Sequence, residues 1–261
     1  DMDFMLNWAV GISQIIGMSA SQVFGAVNGI KDGDPVGWRE GFRKQGRFQV
    51  ERAKILAERE SPLTCAQFSL GAAYAFRAAL QYTSPKSADY APMVNDMESA
   101  FQEGMRLLGV PIKAIEIPFE NTTLPGYYLE HDAQPRPVMV MIGGGDTFRE
   151  DLFYFAGYPG WKRGYNVIMV DLPGQGKAPE RGLTFRVDME QPIGIIIDWL
   201  IAHAAVQPSQ IALYGVSGGG YFTALAAAAD SRISAWIAST PIIDMAEVFR
   251  REMGGALKTP G

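Results

Sequence analysis

The spacing of apolar positions changes part-way along the chain. Up to about residue 110 they recur at helical intervals; beyond it they come in short runs of strand length. Residues 3–16 carry an apolar stripe, and residues 38–60 set Phe42, Phe48, Val50, Ile55 and Leu56 among charged residues at helical spacing. Ser61-Pro62 predicts a helix start, because proline is preorganised for the first helical position, where its missing N–H is no loss. That helix should run through Ala66, Leu70, Ala73, Phe76 and Leu80 until Ser84-Pro85 breaks it, and a fourth spans about 88–108, ending near Gly109. At Val110-Pro111 the pattern turns over. Residues 113–120 alternate with period two, and residues 123–130 read as their hairpin partner. Residues 137–142 and 165–170 are continuous apolar runs, as in a parallel sheet covered on both faces, with a helix around 148–158 between them. A helix over 191–205, a strand over 211–216, an Ala-rich helix over 223–229 and a strand over 233–238 follow. Strands alternating with helices after an antiparallel start predict an α/β fold with a mostly parallel sheet. An all-helical domain, residues 1–110, precedes the α/β domain of residues 111–261.

The strand at 211–216 runs directly into Gly215-Val216-Ser217-Gly218-Gly219, and the Ala-rich helix comes next. Strand, tight turn and helix in that order form the setting in which Gly-x-Ser-x-Gly presents a nucleophilic serine. The turn forces the serine into a strained backbone conformation, and glycines two before and two after avoid collisions with neighbouring backbone. The hydroxyl is then held clear of the sheet at a helix N-terminus, where N–H groups and the helix dipole favour a developing oxyanion. A chain with 29 glycines can produce the five-residue pattern by chance, so the flanking elements carry the weight. The bland reading is a glycine-rich turn whose serine caps the helix. Ser217 is the expected nucleophile.

Two further strand ends should reach the same edge, since such sheets bind ligands at the carboxyl ends of their strands. One leads into Gly143-Gly144-Gly145-Asp146 and the other into Asp171-Leu172-Pro173-Gly174-Gln175-Gly176. A triple glycine lets a backbone N–H face a bound carbonyl oxygen without side-chain obstruction. The expected oxyanion hole is the N–H of Gly144, with Gly145 as the second choice, together with that of Gly218. Asp171 is expected to tie down its own turn.

From about Lys113 to Asp244 these pieces resemble an α/β-hydrolase. The helical segment in front narrows the resemblance to the group that holds bacterial 2,6-dihydroxypseudooxynicotine hydrolase and fungal polyketide-shortening hydrolases. The resemblance implies an N-terminal helical domain that covers the active site as a cap. It also implies a serine hydrolase working through an acyl-enzyme at a carbonyl, cleaving a C–C bond beside a ketone or an ester. An acyltransferase or cyclase on the same fold, or a binding member with an incomplete triad, are the alternatives. No cofactor or metal is implied. The family orders its triad as Ser, acid, His, yet the only histidines, His131 and His203, both precede Ser217. Both read as packing or surface residues. The expectation is therefore a sheet that is incomplete at its C-terminal side, with the chain continuing past Gly261 through at least one more strand and a histidine. Asp244, after the strand at 233–238, is a candidate triad acid because some members place the acid there. Glu247 is a candidate substrate contact.

Composition removes some function classes. A net charge of -5 with scattered basic residues gives no nucleic-acid surface. The single Cys65 allows no intrachain disulfide framework and no paired-cysteine metal site, and a cytoplasmic location fits. Residues 4–30 are apolar, but Asn7, Ser13, Gln14, Ser19, Ser21 and Gln22 interrupt them and no basic segment precedes them, which argues against a signal peptide or membrane span. The expected partner is a small apolar or aromatic molecule, and a homodimer is compatible with the sequence.

Overall fold

The computed structural model describes residues 2–58 and 61–253. The chain divides into two compact units, Asp1–Ile112 and Lys113–Gly261.

The first unit is helical: α1 (Met2–Ile16), α2 (Ala20–Val27), α3 (Pro35–Ala57), α4 (Pro62–Leu80) and α5 (Tyr90–Leu107). The apolar stretch 4–30 is two helices. Gly17 breaks it at φ +89°, and Ser19 restarts it with a capping box shared with Gln22. Asp34 starts α3, its Oδ1 accepting from the N–H groups of Val36 at 3.1 Å and Gly37 at 2.9 Å. Helix α3 ends at Ala57, and residues 59 and 60, where the sequence placed its end, lie outside the described residues. Every residue of α4 from Ser69 to Leu80 is buried. A helix so covered has to be largely apolar, its buried Arg77 being paired with Gln81 and the Trp8 ring, and Ala66, Ala72, Ala73, Ala75, Ala78 and Ala79 make it thin enough for its neighbours to come close. Glycines on α3 and α5 complete the fit: a Cβ at Gly46 would stand 2.7 Å from the Phe76 ring, and one at Gly104 2.5 Å from Leu70. Trp38 of α3 donates its indole N–H to the Ala78 carbonyl at 2.8 Å.

The second unit is built on strands β1 (Ile112–Phe119), β2 (Thr122–Leu129), β3 (Arg136–Ile142), β4 (Asn166–Val170), β5 (Val206–Val216) and β6 (Ile233–Ser239), ordered β1-β2-β4-β3-β5-β6. Strand β3 runs parallel to β4 and β5, β5 runs parallel to β6, and β2 is antiparallel to β4. The connections carry α6 (Arg149–Leu152), α7 (Tyr158–Trp161), α8 (Glu190–His203) and α9 (Gly218–Ala229), and α10 (Met245–Met253) follows β6. The helix expected over 148–158 is one continuous run whose middle, Phe153–Gly157, is π-helical. Ile193, Ile196, Ile197 and Leu200 of α8 pack on Val138, Val140, Ile168, Val170, Ile211 and Leu213 of the sheet. On the other face Gly157 and Gly160 lie against Met169, Met139 and Val167, and cover on both faces explains the unbroken apolar runs of the central strands. Strand β5 begins five residues before its apolar run; its lead-in, 208–210, is exposed and has no apolar signature. Trp236 and Ile237 of β6 are about half exposed at the sheet edge.

Candidate active site

Strand register brings three chain segments level. Ile142 of β3 pairs with Val170 of β4 on one side and with Gly215 of β5 on the other. The connections lead from β3 to β4 on one flank and on to β5 on the other, so the crevice of the sheet opens where these strands end. Gly143, Asp171 and Val216 are the next residues out.

Ser217 has φ 55° and ψ −121°, a conformation that L side chains rarely adopt and that costs on the order of 1–3 kcal/mol. Three backbone hydrogen bonds hold it there. Its N–H donates to Ser239 O at 3.0 Å, and its carbonyl accepts from Gly220 N at 2.9 Å and Ile242 N at 3.3 Å. The flanking glycines are required by contact. A Cβ at Gly215 would lie 2.2 Å from Gly219 O, and one at Gly219 would lie 2.4 Å from Gly143 O. Ser217 is half-buried and its side chain makes no capping hydrogen bond to α9, which removes the reading of the serine as a mere helix cap.

The triple glycine is held differently. Gln175, 1% exposed, reaches across from the loop after β4. Its Nε2 donates to Gly143 O at 2.6 Å and to Gly144 O at 2.9 Å, while its Oε1 accepts from Leu172 N at 3.1 Å. The N–H of Gly144 donates to Thr147 Oγ1 at 3.0 Å, inside the protein. This corrects the expectation for Gly144: the donor is already engaged. The N–H groups of Gly145 and Gly218 have no acceptor among the described residues. They lie close together, with Gly145 N 3.7 Å from where a Cβ on Gly218 would be.

Asp171, buried, ties down its turn. It accepts from Arg149 N at 2.8 Å and Lys177 N at 3.1 Å. Gly176, at φ +46°, has to be glycine because a Cβ there would stand 2.3 Å from the Asp171 carboxylate. Arg149 and Glu150 are both 4% exposed and 3.3 Å apart, and the Arg149 guanidinium lies 4.4 Å from the centre of the Tyr127 ring. The sequence reading missed Gln175 and this buried pair. Charged residues at the first turn of a helix look like a solvated face, and nothing local marks them as covered.

Asp244 is exposed and its Oδ1 accepts from Glu247 N at 2.9 Å, so it caps α10. Glu247 is exposed and paired with Arg250. Between them Met245 packs 3.5 Å from the Gly218 Cβ position, which places the first turn of α10 beside the elbow. The two histidines sit elsewhere. His131 follows β2, whose last residue Leu129 pairs with Val167 at the start of β4, the opposite edge from Ser217. Its Nδ1 is 3.0 Å from Trp161 O. His203 ends α8, exposed, with Nδ1 3.0 Å from Trp199 O. Among the described residues no group of three His, Cys, Asp or Glu is placed to hold a metal, and no helix is long and apolar enough to cross a membrane. A groove of about 720 Å³ lies between α3, α4 and α5 of the helical unit, lined by Arg47, Cys65, Ser69, Phe76 and Glu103, and includes none of these residues.

A mostly parallel sheet with a strained serine between its strand end and a helix, beside a glycine loop at the crevice, is the framework of the α/β-hydrolases. A model of the FrsA-like esterase family matches residues 16–247, and the chain belongs to that family. It is 32% identical over 272 residues to Hydrolyase ccsE of Aspergillus clavatus, covering 93% of this chain and 61% of that protein. It is 32% identical over 242 residues to 20-hydroxy-prefusarin hydrolase FUS2 of Gibberella moniliformis, covering 86% of this chain and 56% of that protein. The chain spans about three-fifths of the length of these curated relatives. Among solved structures, 2,6-dihydroxy-pseudo-oxynicotine hydrolase superposes with a TM-score of 0.69 at 22% identity, covering 87% of this chain and 62% of that one, a likeness of fold.

Proposed function

We propose that this chain carries the nucleophile and oxyanion hole of a serine hydrolase that acts on a small apolar or aromatic carbonyl compound. The observation that carries the reading is Ser217. It is held at φ 55° by backbone bonds, next to two N–H groups without acceptors among the described residues. In the proposed mechanism Ser217 Oγ attacks the carbonyl carbon, and the oxygen, now negative, accepts from the N–H groups of Gly145 and Gly218. The general base that takes the Ser217 proton returns it to the leaving group as the tetrahedral intermediate collapses, and the acyl-enzyme left behind is hydrolysed by water. A donor of this kind is worth about 10²–10³ in rate. Neither His131 nor His203 stands at the strand ends that carry Ser217, so the general base is proposed to come from chain outside the described residues. The resemblance to the 2,6-dihydroxypseudooxynicotine hydrolase group favours a C–C bond beside a ketone as the bond cleaved, with an ester as the second choice. Hydrolase names among the relatives support the reaction class.

The test is covalent labelling of the full-length protein by a fluorophosphonate, which reacts readily only with an activated serine. Labelling and turnover should both vanish in Ser217→Ala while the thermal midpoint stays near wild type. Wild-type protein that resists the probe would favour a non-catalytic binding member, and an active Ser217→Ala would remove the nucleophile assignment.

A further inference from the structure

We propose that Gln175 is a positioning residue that orients the Gly145 N–H toward the substrate oxygen. The inference rests on the serine-hydrolase reading above and assigns a role to a residue in the loop after β4 that touches no substrate. A trans peptide is planar, with its C=O and N–H pointing in opposite directions. Fixing a carbonyl therefore aims the following N–H. The carboxamide of Gln175 fixes two successive carbonyls, those of Gly143 at 2.6 Å and Gly144 at 2.9 Å. The N–H groups of Gly144 and Gly145 are consequently both aimed away from Gln175. Thr147 Oγ1 takes the first at 3.0 Å, and the second is left to an incoming ligand. A run of glycines has no side chains of its own to hold such an arrangement, and without a clamp its peptide planes would rotate.

The clamp is itself fixed. Leu172 N donates to Gln175 Oε1 at 3.1 Å, so the amide can be oriented only one way, with both Nε2 hydrogens on the glycine carbonyls. Gln175 N donates to Leu172 O at 2.9 Å, closing the turn from the other side. Gln175 is 1% exposed, so its hydrogen bonds are shielded from bulk solvent. A hole whose donors are aimed beforehand needs no reorganisation as charge develops, and its benefit falls on the transition state more than on bound substrate.

The experiment compares Gln175→Glu, Gln175→Met and Ser217→Ala in the full-length protein. Glutamate has the same length but aims oxygens at two carbonyls; methionine fills the space without donors. The expected result is a fall in kcat of about ten- to a hundredfold in both variants, less than loss of a hole donor, with KM within about threefold. The rate of fluorophosphonate labelling should fall in parallel. For Gln175→Glu, the ratio of its kcat to that of wild type should rise as pH falls, because a protonated carboxyl regains one donor. A purely structural role would lower the thermal midpoint and move kcat and KM together with no pH dependence in that ratio, and that outcome overturns the inference. So does wild-type kcat in both Gln175 variants when Ser217→Ala is inactive. Turnover surviving in Ser217→Ala overturns the serine reading instead, which keeps the two failures apart. If Gln175→Glu does not fold, the kcat and KM of Gln175→Met decide.

Discussion

The ends of β5 and β3 stand side by side and are both built from glycine, yet they are held in opposite ways. At the end of β5 the chain holds itself: the geometry of Ser217 follows from backbone bonds to Ser239, Gly220 and Ile242, and from glycines that let backbone atoms meet. At the end of β3 the shape is imposed from outside, by the side chains of Gln175 and Thr147 on backbone groups that have no side chains of their own. The difference teaches where tolerance should lie. A self-held turn fails when any backbone contact is blocked. A clamped loop fails gradually, one hydrogen bond at a time.

The sharpest way to break the comparison is at the point where the two ends touch. Gly219→Ala would put a methyl group 2.4 Å from Gly143 O and 2.5 Å from Ile142 O, both of them backbone. No side-chain rotation relieves that, so the expected cost is above about 4 kcal/mol. The protein should fail to fold or lose labelling at Ser217, read from soluble yield and fluorophosphonate incorporation. Gly145, by contrast, has nothing within 4 Å of a Cβ position and should accept alanine without loss of stability. On the clamped side, Thr147→Val keeps the shape but leaves the Gly144 N–H buried without an acceptor. That should destabilise by about 1–3 kcal/mol in urea unfolding, with Thr147→Ser recovering most of it.

The same contrast explains what could be read from the sequence. The elbow was legible because its constraints are local: strand, Gly-x-Ser-x-Gly and helix are contiguous, and the steric demand on Gly215 and Gly219 follows from the turn. The α/β sheet was legible because burial on both faces leaves continuous apolar runs at β3 and β4. The clamp was not, because Gln175 and Gly143 are 32 residues apart and an amide in a polar loop signals nothing by itself. Choosing between Gly144 and Gly145 needed the position of the Thr147 hydroxyl, which no spacing rule supplies. The stripe over 3–16 ends where Gly17 breaks α1, but α2 was not read as a helix of its own because apolar residues continue beyond the break. The burial of Arg149 and Glu150 was missed because helix periodicity does not show which neighbours cover a first turn.

The end of β6 offers a third case and the smallest expected effect. Here Asp244 follows the strand, and the family resemblance made it a candidate triad acid. The structure engages its carboxylate in a cap, with Glu247 N donating to Oδ1 at 2.9 Å at the start of a nine-residue helix. A cap and a catalytic acid respond differently to two substitutions. Asparagine keeps the capping oxygen and alanine removes it, so a cap predicts that Asp244→Asn is nearly silent while Asp244→Ala weakens α10 by about 0.5–2 kcal/mol. Amide hydrogen exchange in residues 247–250 reads this directly. Activity should fall by less than about tenfold in either variant, the scale of a single modest interaction. Met245 packs against the elbow beside Gly218, so some loss on freeing α10 is expected with alanine and not with asparagine. A catalytic acid predicts the reverse order: asparagine alone would cost about 10⁴ in kcat, because it would leave the base in the wrong tautomer. A fall of that size in Asp244→Asn, with α10 still protected, would show that the end of β6 supplies chemistry as well as support.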